Sequence, residues 1–401
     1  MGDNRLIQFY NCRILRDHQI IDEHIWIRDG KFVNPEKVFF DERKVADVQI
    51  DCKGKLIAPG FIDIQINGGF GVDFSHDIDS VDKNVGIVAR GILAHGVTSF
   101  CPTVVTSEPQ VYRKVLFKLR KSQGGKHGAT VLGAHVEGPF ISPEKKGAHL
   151  LSSIVTFDKG FDSILEIYGN LSSIAIITLA PELPHSMEVI DRLVSEGITV
   201  SIGHSSADIN IAEQAVSHGA SLITHLFNAM LPFHHRDPGI IGLLSSDHID
   251  SSKVYYGIIA DGVHTHPSAL RIAYSTHPKG LIIVTDAISA LGLDEGTHFL
   301  GEKKIEVKNN CAYIAGTSTL CGSITPFNAC VQFFMRSTRC SLVEALEVSS
   351  LHPAKALGIE HSKGTLNFGS DADFVILDDD LNVYSTWIAG DCVYSASERK
   401  S

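Results

Sequence analysis

The apolar and polar positions of the chain follow two different patterns. Residues 1–56 form short alternating stretches broken by Asp-Gly and Lys-Gly turns, a pattern typical of antiparallel strands. Residues 358–401 return to this pattern with the stretches DADFVILD and STWIAGDCVY. Between them, apolar strands alternate with amphipathic helices, which predicts parallel βα units. We therefore predict a small β-sandwich domain formed by residues 1–56 and 358–401, and a second domain over residues 57–357.

The middle part of the chain contains eight strand-like apolar stretches. They are LIAPGFIDIQI, VTSFCPTVV, ATVLGAHV, IAIITLA, ITVSIGH, LITHLF, VYYGIIA and LIIVTD. Eight parallel strands with intervening helices are the count of a (β/α)8 barrel. A doubly wound open sheet is the alternative, but GGFGVDF, which follows the first strand, does not open a GxGxxG helix. The sequence predicts an α/β fold with a (β/α)8 TIM-type barrel.

Polar side chains are concentrated where these strands end. In barrels of this kind the catalytic groups lie at the carboxyl ends of the strands. Taken alone, each has an ordinary explanation: His204, which precedes two serines, could start a helix, and Asp286 could be a helix N-cap. Their convergence on one rim favours a functional site instead. The stretches are HVEGP at 135–139, GHS at 203–205, THLFN at 224–228, DGVH at 261–264 and TDA at 285–287.

Three of these residues suit a metal ion. A catalytic zinc takes about three protein ligands and keeps one position open. Glu137, His204 and His225 would supply such a set from the third, fifth and sixth strands, and Asp286 would face them from the eighth. A carboxylate beside a metal site can take a proton from water and later deliver it to a leaving amine. The pattern predicts a hydrolase acting on an amide or similar bond.

Composition and charge narrow the possible partners. The chain has 401 residues, 44% hydrophobic content and a formal net charge of -11. The negative charge and the lack of a stripe of basic residues argue against nucleic acid as a partner. The start, MGDNRLIQFYNC, lacks a signal segment, and no apolar run reaches the roughly 18 residues of a membrane span. The eight cysteines are scattered, which suits reduced thiols. We therefore expect a cytoplasmic protein.

Several motifs resemble the amidohydrolase superfamily and, within it, the N-acetylglucosamine-6-phosphate deacetylase family. The resemblance covers almost the whole chain and includes the tail HPAKALGI with KGTLNFGSDADFVILD. It implies removal of the acetyl group from N-acetyl-D-glucosamine 6-phosphate in amino-sugar metabolism. The motifs are PGFID at 59–63, HVEGPF at 135–140, KKGAH at 145–149, IGHS at 202–205, THLFNAM at 224–230, RDPG at 236–239, ADGVH at 260–264 and VTDAI at 284–288.

The resemblance also implies roles for particular residues. Glu137, His204 and His225 would hold one divalent metal ion, with zinc the first choice. Asp286 would activate water and protonate the departing amine, and His149 would help to stabilise the oxyanion. The remaining predicted substrate contacts are Ala148, Asn228, Ala229, Arg236, Asp261, His264, and Leu320, Cys321 and Gly322.

The 6-phosphate has its own predicted contacts. Asn228, the backbone of Ala229, His264 and Arg236 would receive it, and in the family the position of Arg236 reaches into the neighbouring subunit. The resemblance therefore implies a homodimer that binds a phosphosugar. From the residues alone, Arg236 could equally pair with Asp237 on a surface loop. The loop 320–322 would close over the acetyl group and the sugar.

The sequence departs from the two-metal members of the superfamily. Those enzymes often end the first strand with His-x-His and carry a bridging lysine on the fourth, whereas this chain has Gln65-Ile66-Asn67 and IITLAPE. Amides bind transition metals poorly compared with imidazole, so we predict a single metal. Asp63, Gln65 and Asn67 would share the strand face that looks into the barrel.

Some questions stay open at this point. His135 shares a face with Glu137 and could orient a ligand, while His234 and His235 receive no role. A cyclic amidase or a deaminase on the same barrel is an alternative, although such enzymes more often keep the His-x-His motif. A scaffold that has lost its metal is another, but it should lack a ligand or Asp286, and all four residues are present.

Overall fold

Eight parallel strands form a barrel in the middle of the chain. The computed structural model describes residues 5–76, 78–300, 303–309, 311–317 and 320–397, except the side chains of Leu300, Lys303 and Cys321. Each strand pairs with the next in chain order, and a parallel bridge between Ile66 and Ala287 links the last strand to the first. The predicted TIM-type barrel is therefore confirmed. The strands are β1 Phe61–Ile66, β2 Val97–Val105, β3 Ala134–Glu137, β4 Ile174–Leu179, β5 Thr199–Ile202, β6 Leu222–Ile223, β7 Tyr255–Ile259 and β8 Leu281–Val284.

Helices surround the barrel and bury one face against it. The helix ends carry ordinary capping chemistry: Asp208 accepts the backbone N–H of Ile211, and Ser341 forms a capping box with Glu344. The helices are α1 Val81–Gly91, α2 Pro109–Val115, α3 Phe161–Tyr168, α4 Ser186–Ser195, α5 Ile209–Ser217, α6 Pro267–Thr276, α7 Phe327–Thr338, α8 Leu342–Glu347 and α9 Leu351–Ala356. Short 3₁₀ segments lie at Ile92–His95, Leu116–Lys118, Pro143–Lys145, Leu151–Ser153, Gly239–Leu244, Ser251–Lys253 and Pro278–Gly280, and a π-helical turn at Lys37–Asp41.

The two ends of the chain pair into a β-sandwich, as predicted. Phe9 of one sheet packs edge-on against Phe374 and Trp387 of the other, with ring centroids 5.2 and 4.9 Å away. The division at residues 1–56, 57–357 and 358–401 stays a prediction. One sheet contains Ile7–Tyr10, Ile25–Arg28, Lys31–Val33 and Val48–Asp51; the other contains Arg13–Arg16, Gln19–Asp22, Leu56–Pro59, Phe374–Leu377, Val383–Ile388 and Asp391–Ser395.

The first predicted strand, LIAPGFIDIQI, serves both parts of the molecule. Leu56–Pro59 pairs with Phe374–Leu377 of the sandwich, whereas Phe61–Ile66 is β1 of the barrel. The chain passes between them at Gly60, where a Cβ atom would lie 2.1 Å from Oγ1 of Thr98. Only glycine therefore fits at this close approach, and one apolar run is divided between two sheets.

A four-stranded antiparallel sheet follows β8. Its last strand contains the predicted loop 320–322, so the expectation of a loop at Leu320 to Gly322 is wrong: inter-strand pairing with Cys311–Ile314 orders this segment. The strands are Gly296–Leu300, Lys303–Lys308, Cys311–Ile314 and Leu320–Gly322. Smaller pairings join Gly68–Gly69 to Val72–Asp73, and Thr130–Val131 to β2. Across the described residues, none of the helices has the length and hydropathy of a membrane span.

Lys363 forms a buried ion pair that ties the segment after α9 to the sandwich. Its Nζ donates to Asp371 at 2.8 Å and to Asp373 at 2.6 Å, and Lys363 and Asp373 are both buried. Burial opposes the charge on Lys363, but Asp373 and Asp371 outweigh it and raise the pKa of the ammonium group. The same Asp371 also accepts from Lys31, which is exposed.

Removal of this lysine should destabilise the protein strongly. Lys363→Met would leave Asp373 buried without a counter-charge, so we expect the free energy of unfolding to fall by about 3 to 5 kcal/mol. Lys31→Met removes an exposed partner of the same Asp371 and should cost less than about 1 kcal/mol. Urea denaturation followed by circular dichroism measures both. Equal losses in the two variants would contradict this account.

Candidate active site

Three buried side chains bring their ligand atoms together at the carboxyl end of the barrel. Glu137 ends β3, while His204 and His225 follow β5 and β6. Oε1 of Glu137 lies 3.1 Å from Nε2 of His204 and 2.9 Å from Nε2 of His225, and the two Nε2 atoms are 3.1 Å apart. This is the group of three His, Cys, Asp or Glu side chains in the described residues that has metal-binding geometry.

The hydrogen bonds around these three side chains are compatible with a bound cation. Nδ1 of His204 donates to the carbonyl oxygen of Lys145 at 2.8 Å, so Nε2 of a neutral ring carries a lone pair. Burial disfavours the charge on Glu137, but the His204 and His225 rings outweigh it when their Nε2 atoms are protonated, and they then hold the pKa of its carboxyl well below the usual range. With both Nε2 atoms deprotonated, electron-rich atoms converge in a buried space, and a divalent cation satisfies such a donor set.

The backbone turns sharply at the ends of these strands. His204, His225 and Asp286 all have positive φ, at 47°, 27° and 47°. Residues other than glycine rarely adopt this region, and such strain is concentrated at functional sites. At each position the chain leaves the strand while the side chain stays at the barrel mouth.

Two amides from β1 and its end hold the carboxylates. Nδ2 of Asn67 donates to Oδ1 of Asp286 at 2.7 Å, and Nε2 of Gln65 donates to Oε1 of Glu137 at 3.0 Å and to Asp286 at 3.4 Å. Burial, followed by the nearby charge of Glu137, raises the pKa of Asp286 to about 6. The amides therefore donate hydrogen bonds at the position where two-metal relatives have histidine ligands.

Asp63 lies on the same face of β1 and supports Asp286 indirectly. Its Oδ2 accepts the hydroxyl of Thr285 at 2.5 Å, and its Oδ1 accepts the backbone N–H of Thr285 at 3.3 Å. Burial raises the pKa of Asp63 to about 7. Because Thr285 precedes Asp286, these bonds fix the end of β8 from below.

His149 lies beside His204, one of the three ligands. Its ring centroid is 4.4 Å from that of His204. Nδ1 accepts the backbone N–H of Thr106 at 3.3 Å and contacts the hydroxyl of Thr106 at 2.6 Å. Burial and the neighbouring His204 lower the pKa of His149 to about 3. The neutral ring therefore carries its hydrogen on Nε2.

The predicted phosphate contacts occupy two loops. Oδ2 of Asp261 lies 2.6 Å from Nδ1 of His264, and Oδ1 accepts the backbone N–H of His264 at 2.8 Å, so Asp261 orients that ring. Asn228 and Ala229 lie in the turn after β6, where the carbonyl of Ala229 accepts from Ser205 at 3.1 Å. The turn with Asn228 and Ala229 therefore comes directly after the ligand His225, and its backbone bonds to Ser205, which follows the ligand His204.

Arg236 lies on an exposed loop at residues 232–236. The alternative that it pairs with Asp237 is not supported, because Oδ1 of Asp237 accepts the backbone N–H groups of Ile209 and Gly239, each at 3.1 Å. No ion pair of Arg236 is recorded among the described residues. Ala148 is exposed next to His149. The side chain of Cys321 lies outside the described part of the structure.

Several contacts around the site were not predicted from the sequence. Thr106 at the end of β2 supports His149, and Glu182 after β4 accepts the hydroxyl of Ser205 and the N–H of Ser206, each at 2.6 Å. Thr106 was not predicted, and its place directly after the strand-like stretch VTSFCPTVV is the signal that could have pointed to it. His135 does not bond to the three ligands: its nitrogens face the carbonyl of Ile64 and the hydroxyl of Thr178, and burial lowers its pKa to about 4.

The chain is similar to known proteins over almost its whole length. The N-acetylglucosamine-6-phosphate deacetylases of Bos taurus and Homo sapiens are each 57% identical to it, over 98% of this chain and 97% and 96% of theirs. The crystal structure of N-acetylglucosamine-6-phosphate deacetylase from Pasteurella multocida superposes with a TM-score of 0.84 at 31% identity, covering 96% of this chain and 99% of that one.

A family model gives the same result. The model described as the amidohydrolase family matches residues 56–393, which span the barrel with its metal-binding group and the second half of the sandwich. The resemblance predicted from the motifs is confirmed. Amidohydrolases are metal-dependent enzymes, and the buried group of Glu137, His204 and His225 could bind a metal ion. This chain belongs to the amidohydrolase family.

Proposed function

We propose that this enzyme removes the acetyl group from N-acetyl-D-glucosamine 6-phosphate to give D-glucosamine 6-phosphate and acetate, in amino-sugar catabolism or recycling. The observation that carries the proposal is the buried group of Glu137, His204 and His225 with Asp286 beside it. The names of relatives that are 57% identical over 98% of the chain support the substrate.

The cofactor in this proposal is one zinc ion per chain, held by Glu137, His204 and His225. Two imidazoles and a carboxylate suit zinc, and the amides of Gln65 and Asn67 are used as donors to Glu137 and Asp286. A divalent ion held there would supply Lewis-acid chemistry, polarising the acetamide carbonyl and acidifying a water molecule.

Asp286 is the proposed proton carrier. Asn67 and Gln65 hold its Oδ1, which fixes the plane of the carboxylate and leaves Oδ2 as the oxygen that can face water. The carboxylate takes a proton from the attacking water and then delivers it to the nitrogen of the departing amine. Burial raises its pKa to about 6, which brings this base closer to neutral pH than an ordinary aspartate.

His149 is the proposed donor to the carbonyl side of the substrate. Because Thr106 occupies Nδ1, the hydrogen of the neutral ring is on Nε2. This N–H can donate to the oxygen that becomes negative as the amide carbonyl is attacked. Ala148, Leu320, Cys321 and Gly322 are proposed to line the space around the acetyl group and the sugar.

The 6-phosphate is proposed to bind Asn228, the backbone of Ala229, His264 and, from the neighbouring subunit, Arg236. Asp261 holds Nδ1 of His264, so Nε2 remains available to the ligand. Arg236 is exposed, and Oδ1 of its neighbour Asp237 accepts from the backbone of Ile209 and Gly239, so the guanidinium group is proposed to reach the phosphate of the neighbouring subunit. Free thiols at Cys12, Cys52 and Cys101 support the cytoplasm as the compartment.

The first test compares two substrates on one preparation. We expect acetate release from N-acetylglucosamine 6-phosphate to exceed release from the unphosphorylated sugar roughly 100-fold in kcat/KM, because two charge-assisted hydrogen bonds of about 1.5 kcal/mol each are lost. The same sample should contain about one zinc per chain by elemental analysis. Equal rates would contradict the phosphate site, and two metals per chain would contradict the single-metal assignment.

The second test separates proton transfer from binding. Asp286→Asn should keep its zinc and lose roughly 100-fold to 10,000-fold in kcat, because an amide cannot accept the proton from water. Asp261→Asn makes the same chemical change where the carboxylate only orients His264, so its main effect should be a higher KM. Steady-state kinetics with metal analysis measure both. A fully active Asp286→Asn enzyme would move the proton chemistry to another group.

The third test asks whether Arg236 acts across a dimer. Asp286→Asn chains should be nearly inactive, and Arg236→Gln chains should lose about tenfold in kcat/KM, because one charge-assisted hydrogen bond is removed. After mixing and subunit exchange, activity should return to about one quarter of the wild-type value, because half of the dimers are mixed and each has one intact site. Exchange is followed with differently tagged chains. If mixed dimers form without any recovery, Arg236 acts within its own subunit or not at all.

A further inference from the structure

Four side chains form a hydrogen-bond chain inside the barrel, beneath the metal-binding group. Nε2 of His135 lies 2.7 Å from Oγ1 of Thr178, and this oxygen lies 2.7 Å from Oγ1 of Thr224. Oγ of Ser201 lies 2.6 Å from the same Thr224 oxygen. These residues come from β3, β4 and β5 and from the end of β6, and all four are buried.

The direction of this chain follows from a single contact. Nδ1 of His135 lies 3.0 Å from the carbonyl oxygen of Ile64, which can only accept, so Nδ1 carries the hydrogen. Nε2 of the neutral ring then accepts from Thr178. The Thr178 oxygen in turn accepts from Thr224, and Thr224 accepts from Ser201. Each hydroxyl thus has one donor role, and reversal of any one bond would leave a buried group without a partner.

Three members of the hydrogen-bond chain are close in sequence to the three ligands. His135 precedes Glu137 by two residues, Thr224 directly precedes His225, and Ser201 precedes His204 by three. The remaining contact is steric. At Gly203, which precedes His204, a Cβ atom would lie 2.7 Å from Cβ of Thr224 and 3.4 Å from Cγ2 of Thr178. Thr224 and Thr178 therefore pack directly against Gly203, the residue before the ligand His204.

We propose that His135, Thr178, Thr224 and Ser201 are positioning residues that set the metal affinity of the site. The inference rests on the proposed metal-binding role of Glu137, His204 and His225. Loss of one hydroxyl leaves polar atoms unpaired in the barrel interior, and the strand ends must shift to relieve that cost. Ligand atoms that have to meet within a few tenths of an ångström then bind the ion less tightly.

The experiment measures zinc affinity rather than turnover. The full-length wild-type chain and its Thr178→Val and His135→Phe variants are stripped of metal and titrated with zinc against a chromophoric chelator. We expect each variant to bind zinc at least about tenfold more weakly, because each interrupts the same chain. The zinc affinity of the double variant should be little lower than that of whichever single variant binds zinc less tightly. Two breaks in one hydrogen-bond chain are not additive.

A matched control separates this role from general destabilisation. Nδ1 of His352 donates to the carbonyl of Leu281 at 2.8 Å, so this buried histidine also supports a barrel strand, but at the opposite end from the ligands. His352→Gln should lower the thermal stability of the metal-free protein while zinc affinity stays within about twofold of wild type. An affinity loss in His352→Gln equal to that in Thr178→Val would overturn the proposal.

Ser201→Ala provides a milder break at the start of the chain. This variant removes a group that only donates, so it should fold even if Thr178→Val does not, and we expect a loss of zinc affinity of about threefold or more. Unchanged affinity in Ser201→Ala and in whichever other variants fold would overturn the inference. A wild-type chain that binds no zinc would instead contradict the proposed function.

Discussion

The mutual approach of two imidazole nitrogens and a carboxylate oxygen is the constraint on which the rest of the site depends. Glu137, His204 and His225 place these atoms about 3 Å apart in a buried space, where their repulsion is poorly screened. A cation or shared protons must offset that repulsion. Much of the surrounding structure orients these three groups: the carbonyl of Lys145 holds His204, and Gln65 donates to Glu137.

The carboxylate of Asp286 lies close to that of Glu137 but has a different proposed role. Burial and the charge of Glu137 raise the pKa of Asp286. The side-chain amides of Asn67 and Gln65 donate hydrogen bonds to its carboxylate. In the proposed function, the amides thus separate metal binding by Glu137 from proton transfer by Asp286. In a two-metal relative, histidines at these positions would be ligands instead.

Much of the architecture could be predicted from local patterns. The eight apolar strands, the alternation with helices and the strand-end position of Glu137 and Asp286 follow from periodicity and from the rule that barrel sites lie at the carboxyl rim. The division of one apolar run at Gly60 could not, because it depends on the closeness of Thr98, 38 positions away. The strand Leu320–Gly322 was also missed, since it is ordered by pairing with Cys311–Ile314.

By itself, the sequence determined the fold class, the family and the chemical types of the candidate site residues, because these depend on periodicity, on motif order and on which side chains can bind a metal. Only the tertiary structure decided how those side chains are used. Gln65 and Asn67 became donors, His135 turned away from the ligands towards Ile64 and Thr178, and Thr106 gave His149 its tautomer. The physical reason is that a hydrogen bond depends on the position of its partner, and these partners come from different strands that meet only when the barrel closes.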